Sequence, residues 1–334
     1  MKILLNSHTF APNIGGIESM SLVLADEFIK AGHEVKVVTQ TPAGESPPNL
    51  PYPVLRHPGR SELIHAVRWS DVVFHNNISL QTAWPLLLVR RPWVIVHQTW
   101  IRAVDGSINR AEKVKRWAIR FAHQIAISQA VADDVNGCKE IIGNCYNSSL
   151  FRELPGVLRD RDVVFVGRLV SDKGVDLAIR AVAEIPDTTL TIIGGGEEEE
   201  ALRNLVTELN LQDRITFTGP LSGESLVEQI NRHRVMVVPS RWKEPFGIVA
   251  LEGIACGCTI VGSEGGGLKD AIGPCGLTFE NDNLADLTEK LATMLSDQEL
   301  YNRCRQVASA HLGRFTAPVI AAAYLKVFER VIRR

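Results

Sequence analysis

Short apolar runs alternate with stretches of helical periodicity along most of the chain. Lys2-Ile-Leu-Leu-Asn-Ser7 reads as a buried strand, followed by a loop holding Gly15-Gly16. From Ile17 to Lys30 apolar residues recur at helical spacing, and Gly32-His33 ends that helix before a second strand at Glu34–Thr39. Strand, helix and strand in this order make a βαβ unit, the building block of a doubly wound parallel sheet. Residues 40–53 are rich in Pro and Gly and read as a loop. Further strands are expected at Asp71–His75, Trp93–His97 and Gln124–Ile127, with helices between them.

Near residues 140–150 the pattern thins, and a polar stretch with Pro155-Gly156 and Arg159-Asp-Arg-Asp162 follows, so a domain boundary is placed there. A second series starts at Asp162–Gly167. It predicts strands at 189–193, 214–217, 235–239, 258–262 and 276–279, helices at 175–184, 197–210, 223–232 and 247–255, and closing helices from 283 onward. The expected fold class is α/β, with two doubly wound, Rossmann-like domains facing a central cleft. Ligands in such sheets sit beyond the carboxyl ends of the strands.

The densest chemistry lies at Arg241-Trp-Lys-Glu-Pro-Phe-Gly-Ile-Val-Ala-Leu-Glu252, after the apolar run Val235-Met-Val-Val-Pro239. Pro245 biases Glu244 towards an extended backbone, which puts Glu244 in the loop. Gly247 and the residues after it then offer free N–H groups at a helix N-terminus, a site for phosphate. Glu252 follows about a turn and a half into the helix. An anion site between two acids suits a sugar nucleotide, with diphosphate in the middle and hydroxyl-bearing groups at both ends.

Gly167-Arg168-Leu-Val-Ser-Asp-Lys173-Gly174 leaves a strand and enters a helix. Either it is a solvated loop capped by Asp172, or Arg168 and Lys173 hold a diphosphate. Beside the 241–252 stretch the second reading is preferred. Gly15-Gly16 is not a dinucleotide fingerprint but could let backbone approach a phosphate. Glu197–Glu200 after Gly194-Gly-Gly196 would repel a pyrophosphate and suits the first turn of a helix. His97 ends a strand, as a site residue or a structural hydrogen-bonder. Asp160-Arg-Asp162 has a metal-site spacing but precedes a strand in the linker, so it is read as solvated charge and no metal site is expected.

Residues 90–120 carry eight basic side chains, among them Arg90, Arg102, Arg110, Lys113 and Arg120, against Asp105 and Glu112. Val114, Trp117, Ala118 and Phe121 fall at i, i+3, i+4 and i+7. The preferred reading is a surface helix with its apolar face in the core, and the sharper one is a patch for an anionic membrane or lipid-phosphate acceptor. With 334 residues, 45% hydrophobic and a formal net charge of −2, the chain reads as an ordinary globular protein, with no basic excess for nucleic acid. No apolar run is long enough for a signal core or a membrane span, and six cysteines without Cys-x-x-Cys spacing read as reduced, mostly buried thiols. A cytoplasmic protein is the expectation these features give.

Taken together, Glu244-Pro-Phe-Gly-Ile-Val-Ala-Leu-Glu252, Gly167-Arg168 with Lys173-Gly174, Ile193-Gly-Gly-Gly-Glu197, Phe217-Thr-Gly219 and Gly265-Gly-Gly267 resemble the motifs of family-4 retaining glycosyltransferases of the GT-B fold (glycosyl transferases group 1). The Glu244–Glu252 segment looks like the Glu-x7-Glu motif of that family. The resemblance implies an acceptor-binding domain over 1–152, a nucleotide-sugar-binding domain over 160–315 and a terminal helix over 316–334 that crosses back to the first domain. It implies that Glu252 holds the donor ribose, Arg168 and Lys173 the diphosphate, and Glu244 the transferred sugar. Backbone at Phe246, Gly247 and Ile248 would bind sugar and distal phosphate, and Leu221 would meet the base. Gly15 and Gly16 would approach the phosphate, and His97 the sugar, from the first domain. The nucleotide sugar is a substrate, and neither a metal nor another cofactor is implied.

The activity so implied is transfer of a hexose, with UDP-glucose the first choice of donor, to a saccharide or lipid-linked acceptor in polysaccharide biosynthesis. With no carboxylate pair placed as nucleophile and acid, same-face transfer is favoured, the leaving phosphate oxygen accepting the acceptor proton. The rivals are a sugar-nucleotide epimerase on the same fold and a non-catalytic sugar-binding protein. The localisation implied is cytoplasmic, with peripheral contact at the inner face of the membrane as the variant that the basic region allows.

Overall fold

The computed structural model describes residues 1–13, 15–44, 49–102, 108–135 and 137–333. The chain divides into two compact units, one of residues 1–145 with 317–334 and the other of residues 146–316. Each is a doubly wound α/β unit, as the alternating pattern predicts.

In the first unit the strands are β1 (Lys2–Asn6), β2 (Glu34–Thr39), β3 (Val54–Arg56), β4 (Val72–Asn76), β5 (Trp93–His97), β6 (His123–Ala126) and β7 (Glu140–Ile141). They form a parallel sheet in the order β3-β2-β1-β4-β5-β6-β7. The central strands are apolar runs because helices cover both faces: Ile3, Leu4, Leu5, Val94, Ile95 and Val96 are all fully buried. The order reverses between β1 and β4, which makes that pair the switch point of the sheet.

The second unit contains β8 (Arg161–Val166), β9 (Leu190–Ile193), β10 (Ile215–Gly219), β11 (His233–Val238), β12 (Thr259–Ser263) and β13 (Gly276–Phe279). Their order is β10-β9-β8-β11-β12-β13, again all parallel, and the switch point lies between β8 and β11.

The helix Ala317–Ile332 belongs to the first unit. Tyr324 and Phe328 on its buried face meet Phe74 and Phe28, with Phe28–Phe328 centroids 5.5 Å and Phe74–Phe328 centroids 5.1 Å apart. Arg330 pairs with Glu140 at 2.5 Å near the end of that helix.

Three sequence expectations change. β7 falls where the pattern thins, and β3 falls just beyond the 40–53 loop, where no strand is expected. Both are short edge strands, and their pairing comes from a neighbouring strand and not from a pattern of their own. Part of the 40–53 loop, residues 45–48, lies outside the described residues. Asp162 is not solvated linker charge: it lies in β8, and its carboxylate accepts from the Thr189 backbone N–H at 2.9 Å and hydroxyl at 2.8 Å. Asp160 before it pairs with Arg232 at 2.7 Å.

The third change concerns the basic region. The helix Arg110–Ala118 buries none of its side chains, and Val114, Trp117 and Phe121 are 49%, 54% and 69% exposed. Its apolar face therefore does not enter the core. The helix is held from its other side, where Arg116 donates to the Asp134 carboxylate at 3.1 Å and to the Ile101 carbonyl at 3.0 Å. Asp105 of the same region lies outside the described residues.

Candidate active site

At the switch point of the second unit, two loops leave neighbouring strands and are tied to each other. After β8, Gly167 donates its N–H to Ile193 and Leu169 donates to Gly195, so the Gly194–Gly196 turn lies backbone to backbone against this loop. A Cβ on Gly194 would fall 1.8 Å from the Gly167 carbonyl oxygen, which no side chain allows. The loop continues through a single turn, Ser171–Lys173, to Gly174 at φ 64°. A Cβ on Gly174 would fall 2.1 Å from the Pro239 carbonyl oxygen, so glycine lets this loop close on the end of β11.

From the β11 side, the Arg241 and Trp242 N–H groups both donate to the Asp172 carbonyl, at 2.9 and 3.1 Å. The Arg241 guanidinium forks onto both Asp176 carboxylate oxygens at 2.6 and 2.8 Å and reaches Asp282 at 2.6 Å. Burial pushes the Asp176 carboxyl upward, but the Arg241 hydrogen bonds outweigh it and hold Asp176 below the usual carboxylate range. Arg241 opened the stretch singled out from the sequence. Its part as the clamp between the loops was not legible there, because Asp176 and Asp282 carry no motif.

Within this frame Glu244 sits in the loop, as Pro245 predicts. Its backbone bridges Gly266, and its carbonyl accepts from the Gly267 N–H at 2.7 Å. Gly266 stands at φ 83°, with space for no Cβ beside the Glu244 carbonyl. The Glu244 side chain accepts from Lys173 Nζ at 2.5 Å and from the Ser240 hydroxyl at 2.9 Å. Asn281 completes the support, donating to the Ser240 carbonyl at 3.1 Å and accepting from the Gly265 N–H at 2.6 Å. Ser240 and Asn281 were missed by sequence reasoning.

Gly247, at φ 96°, caps the helix Ile248–Ala255. None of the N–H groups of Phe246, Gly247, Ile248 and Val249 has an acceptor among the described residues. Arg168, at the end of β8, is exposed and also has no partner among them. Arg168 and these N–H groups follow the two strands of the sheet's switch point, and the Lys173–Glu244 pair links the two loops. Glu252, further along the helix, is largely removed from solvent, and burial raises its carboxyl to about 7. Leu221, two residues beyond β10, is half-buried.

The remaining sequence-predicted residues belong to the first unit. Gly15 caps the helix Gly16–Lys30, where Gly16 is exposed with open space at its Cβ position, while the Glu18 carboxylate lies against Gly15. His97 ends β5, fully buried, with Nε2 3.2 Å from the Gln124 side-chain oxygen and no partner for Nδ1 among the described residues. Burial lowers its pKa to about 4, against the opposing effect of the Gln124 hydrogen bond, so its ring is neutral at physiological pH. At the switch point of this unit a pocket of about 420 Å³ is lined by His8, Thr9, Asn76, Ser79, Gln81 and Lys115 among others. Behind it Gln98 links the Asn76 and Asn144 side chains at 2.7 and 2.9 Å in a buried polar chain.

Among the described residues no three His, Cys, Asp or Glu side chains gather as a metal site, and no helix is long and apolar enough to cross a membrane.

A D-inositol 3-phosphate glycosyltransferase from Corynebacterium jeikeium is 33% identical over 193 residues, which cover 54% of this chain and 46% of that protein. The chain thus spans about half the length of this relative. A glycogen synthase from Mycobacterium tuberculosis is 25% identical over 398 aligned positions, covering 98% of this chain and 94% of that one. HepE from Anabaena, solved in complex with UDP, superposes with a TM-score of 0.83 at 20% identity, over 99% of this chain and 100% of that one. This likeness shows the fold, which is GT-B. Residues 146–311, nearly the whole second unit, match the family model described as Glycosyl transferases group 1.

Proposed function

We propose that the chain is a retaining glycosyltransferase that moves a hexose from a nucleotide-diphosphate sugar to a saccharide or lipid-linked acceptor in polysaccharide biosynthesis. The observation that carries this reading is the run of four N–H groups without acceptors, Phe246 to Val249, beside Arg168 and the Lys173–Glu244 pair at the switch point of the second unit. Such a site would hold the diphosphate. Glu252 would take the ribose hydroxyls, Leu221 backbone would meet the base, and Glu244 would meet the sugar. The first unit, with His97, Gly15 and Gly16, is assigned to the acceptor side and to the sugar and phosphate ends of the donor.

Cleaving the sugar–phosphate bond develops negative charge on the leaving diphosphate, and preformed cations and helix N–H groups stabilise that charge in the transition state. The leaving phosphate oxygen then takes the proton of the acceptor hydroxyl as the new bond forms on the same face of the sugar. No resident metal or other cofactor enters this scheme. UDP-glucose is the first donor to test, and a HepE structure described as a complex with UDP-glucose supports that choice.

The test is incubation with labelled UDP-sugars, with and without saccharide and lipid-linked acceptors. Product that requires an acceptor, with the anomeric configuration kept, is expected. Epimerised or hydrolysed sugar at the same rate without any acceptor would replace this reading with an epimerase or hydrolase. A covalent glycosyl adduct trapped on Glu244 would overturn the same-face scheme while leaving the transferase.

A further inference from the structure

The first unit carries exposed apolar side chains that neither its core nor the proposed chemistry uses. Six of the eleven large apolar side chains exposed among the described residues fall between Leu87 and Phe121: Leu87, Leu88, Ile108, Val114, Trp117 and Phe121. Trp117 and Phe121 stack edge to face, with centroids 5.2 Å apart, so the two rings form one raised apolar surface. Val114 lies one turn before Trp117 on the same helix face.

Among the described residues around this helix, basic side chains outnumber acids. Arg110, Lys113 and Arg120 are exposed and have no ion-pair partner among the described residues, and Arg90 follows Leu87 and Leu88 in the same state. The one acid of the helix, Glu112, is turned back to accept from the Asn109 N–H in a capping box. Arg116 and Arg102 are spent on Asp134, on the inner side. This local excess of cations stands against a whole-chain formal charge of −2. A second copy of the chain is a poor occupant, because a twofold contact would set Arg110, Lys113 and Arg120 against themselves.

We infer that the Val114–Trp117–Phe121 strip and its basic rim dock the first unit on an anionic lipid surface. Apolar rings at the headgroup boundary ringed by Arg and Lys are the chemistry of an interfacial contact, which lies on the membrane without crossing it. The inference is independent of the proposed donor and reaction, since it is read by lipid binding alone.

The experiment is co-sedimentation of the full chain with vesicles of phosphatidylcholine alone and of phosphatidylcholine mixed with phosphatidylglycerol. Binding to the mixed vesicles only, weakened by added salt, is expected. Replacing both Lys113 and Arg120 by Ala should weaken it about 30-fold, at about 1 kcal/mol for each cation near the surface. Trp117→Ala with Phe121→Ala should weaken it by roughly tenfold, through lost apolar burial. These side chains are exposed, so an unchanged melting temperature serves as the folding control. Absence of binding to the mixed vesicles would overturn the inference, as would equal binding to both vesicle types or by all variants. Concentration-dependent self-association in light scattering that Trp117→Ala abolishes would assign the strip to a second copy instead.

Discussion

Lys173, 71 residues before Glu244 in sequence, donates to the Glu244 carboxylate a hydrogen bond of 2.5 Å that joins the loop after β8 to the loop after β11. The cation assigned to the diphosphate and the acid assigned to the sugar hold each other before any ligand arrives. Pairing fixes both side chains, so their orientation is set by the fold and not by the donor.

This contact separates two substitutions that would otherwise look alike. Arg168→Ala and Lys173→Ala are each expected to lower turnover by at least ~100-fold, the usual cost of a lost preorganised charge contact. Only Lys173→Ala should also lower stability, by about 1–2 kcal/mol, because it leaves the partly buried Glu244 carboxylate without its cation. Steady-state kinetics with thermal melts reads both effects. Near-normal turnover in both variants would refute the diphosphate assignment.

Glu252 predicts a pH dependence. Burial raises its carboxyl from 4.5 to about 7, so between these values the folded chain holds a proton that the unfolded chain has lost. Its contribution to stability is therefore fully present below about 4.5 and is lost as pH rises through about 7. Glu252→Gln should remove this part of the fall in melting temperature between pH 5 and pH 7, read by melts of both proteins across that range. If the ionised carboxylate accepts the ribose hydroxyls, wild-type nucleotide affinity should rise over the same window and that of Glu252→Gln should stay flat.

Gly266 tests the support beneath Glu244. Its φ of 83° and the 2.3 Å approach of a would-be Cβ to the Glu244 carbonyl oxygen leave no place for alanine. Gly266→Ala should cost about 1–3 kcal/mol of stability and displace the Glu244 loop. Nucleotide binding measured by calorimetry should weaken with it, and unchanged affinity would detach the glycine loop from the site.

Phe328 tests the return of the terminal helix to the first unit. It is fully buried against Phe28 and Phe74, so Phe328→Ala should cost about 3–5 kcal/mol, as large-to-small changes in a packed core do. Denaturant unfolding monitored in the first unit measures this, and a loss below about 1 kcal/mol would mean that the cavity collapses around the deletion.

The sequence by itself determined the two series of strands and helices, because period and apolar runs are local properties that survive in any doubly wound sheet. It also singled out Glu244, Gly247 and Glu252, since Pro245 and the helix start fix their backbone setting within a few residues. It did not determine β3 and β7, whose pairing depends on the strand beside them. It did not pair Lys173 with Glu244 or set Arg241 between Asp176 and Asp282, since such contacts are made by residues far apart in the chain. The helix Arg110–Ala118 shows the same limit. Periodicity defines its apolar face, but only the tertiary structure decided which face the Arg116–Asp134 contact turns inward, and so left Trp117 and Phe121 outside.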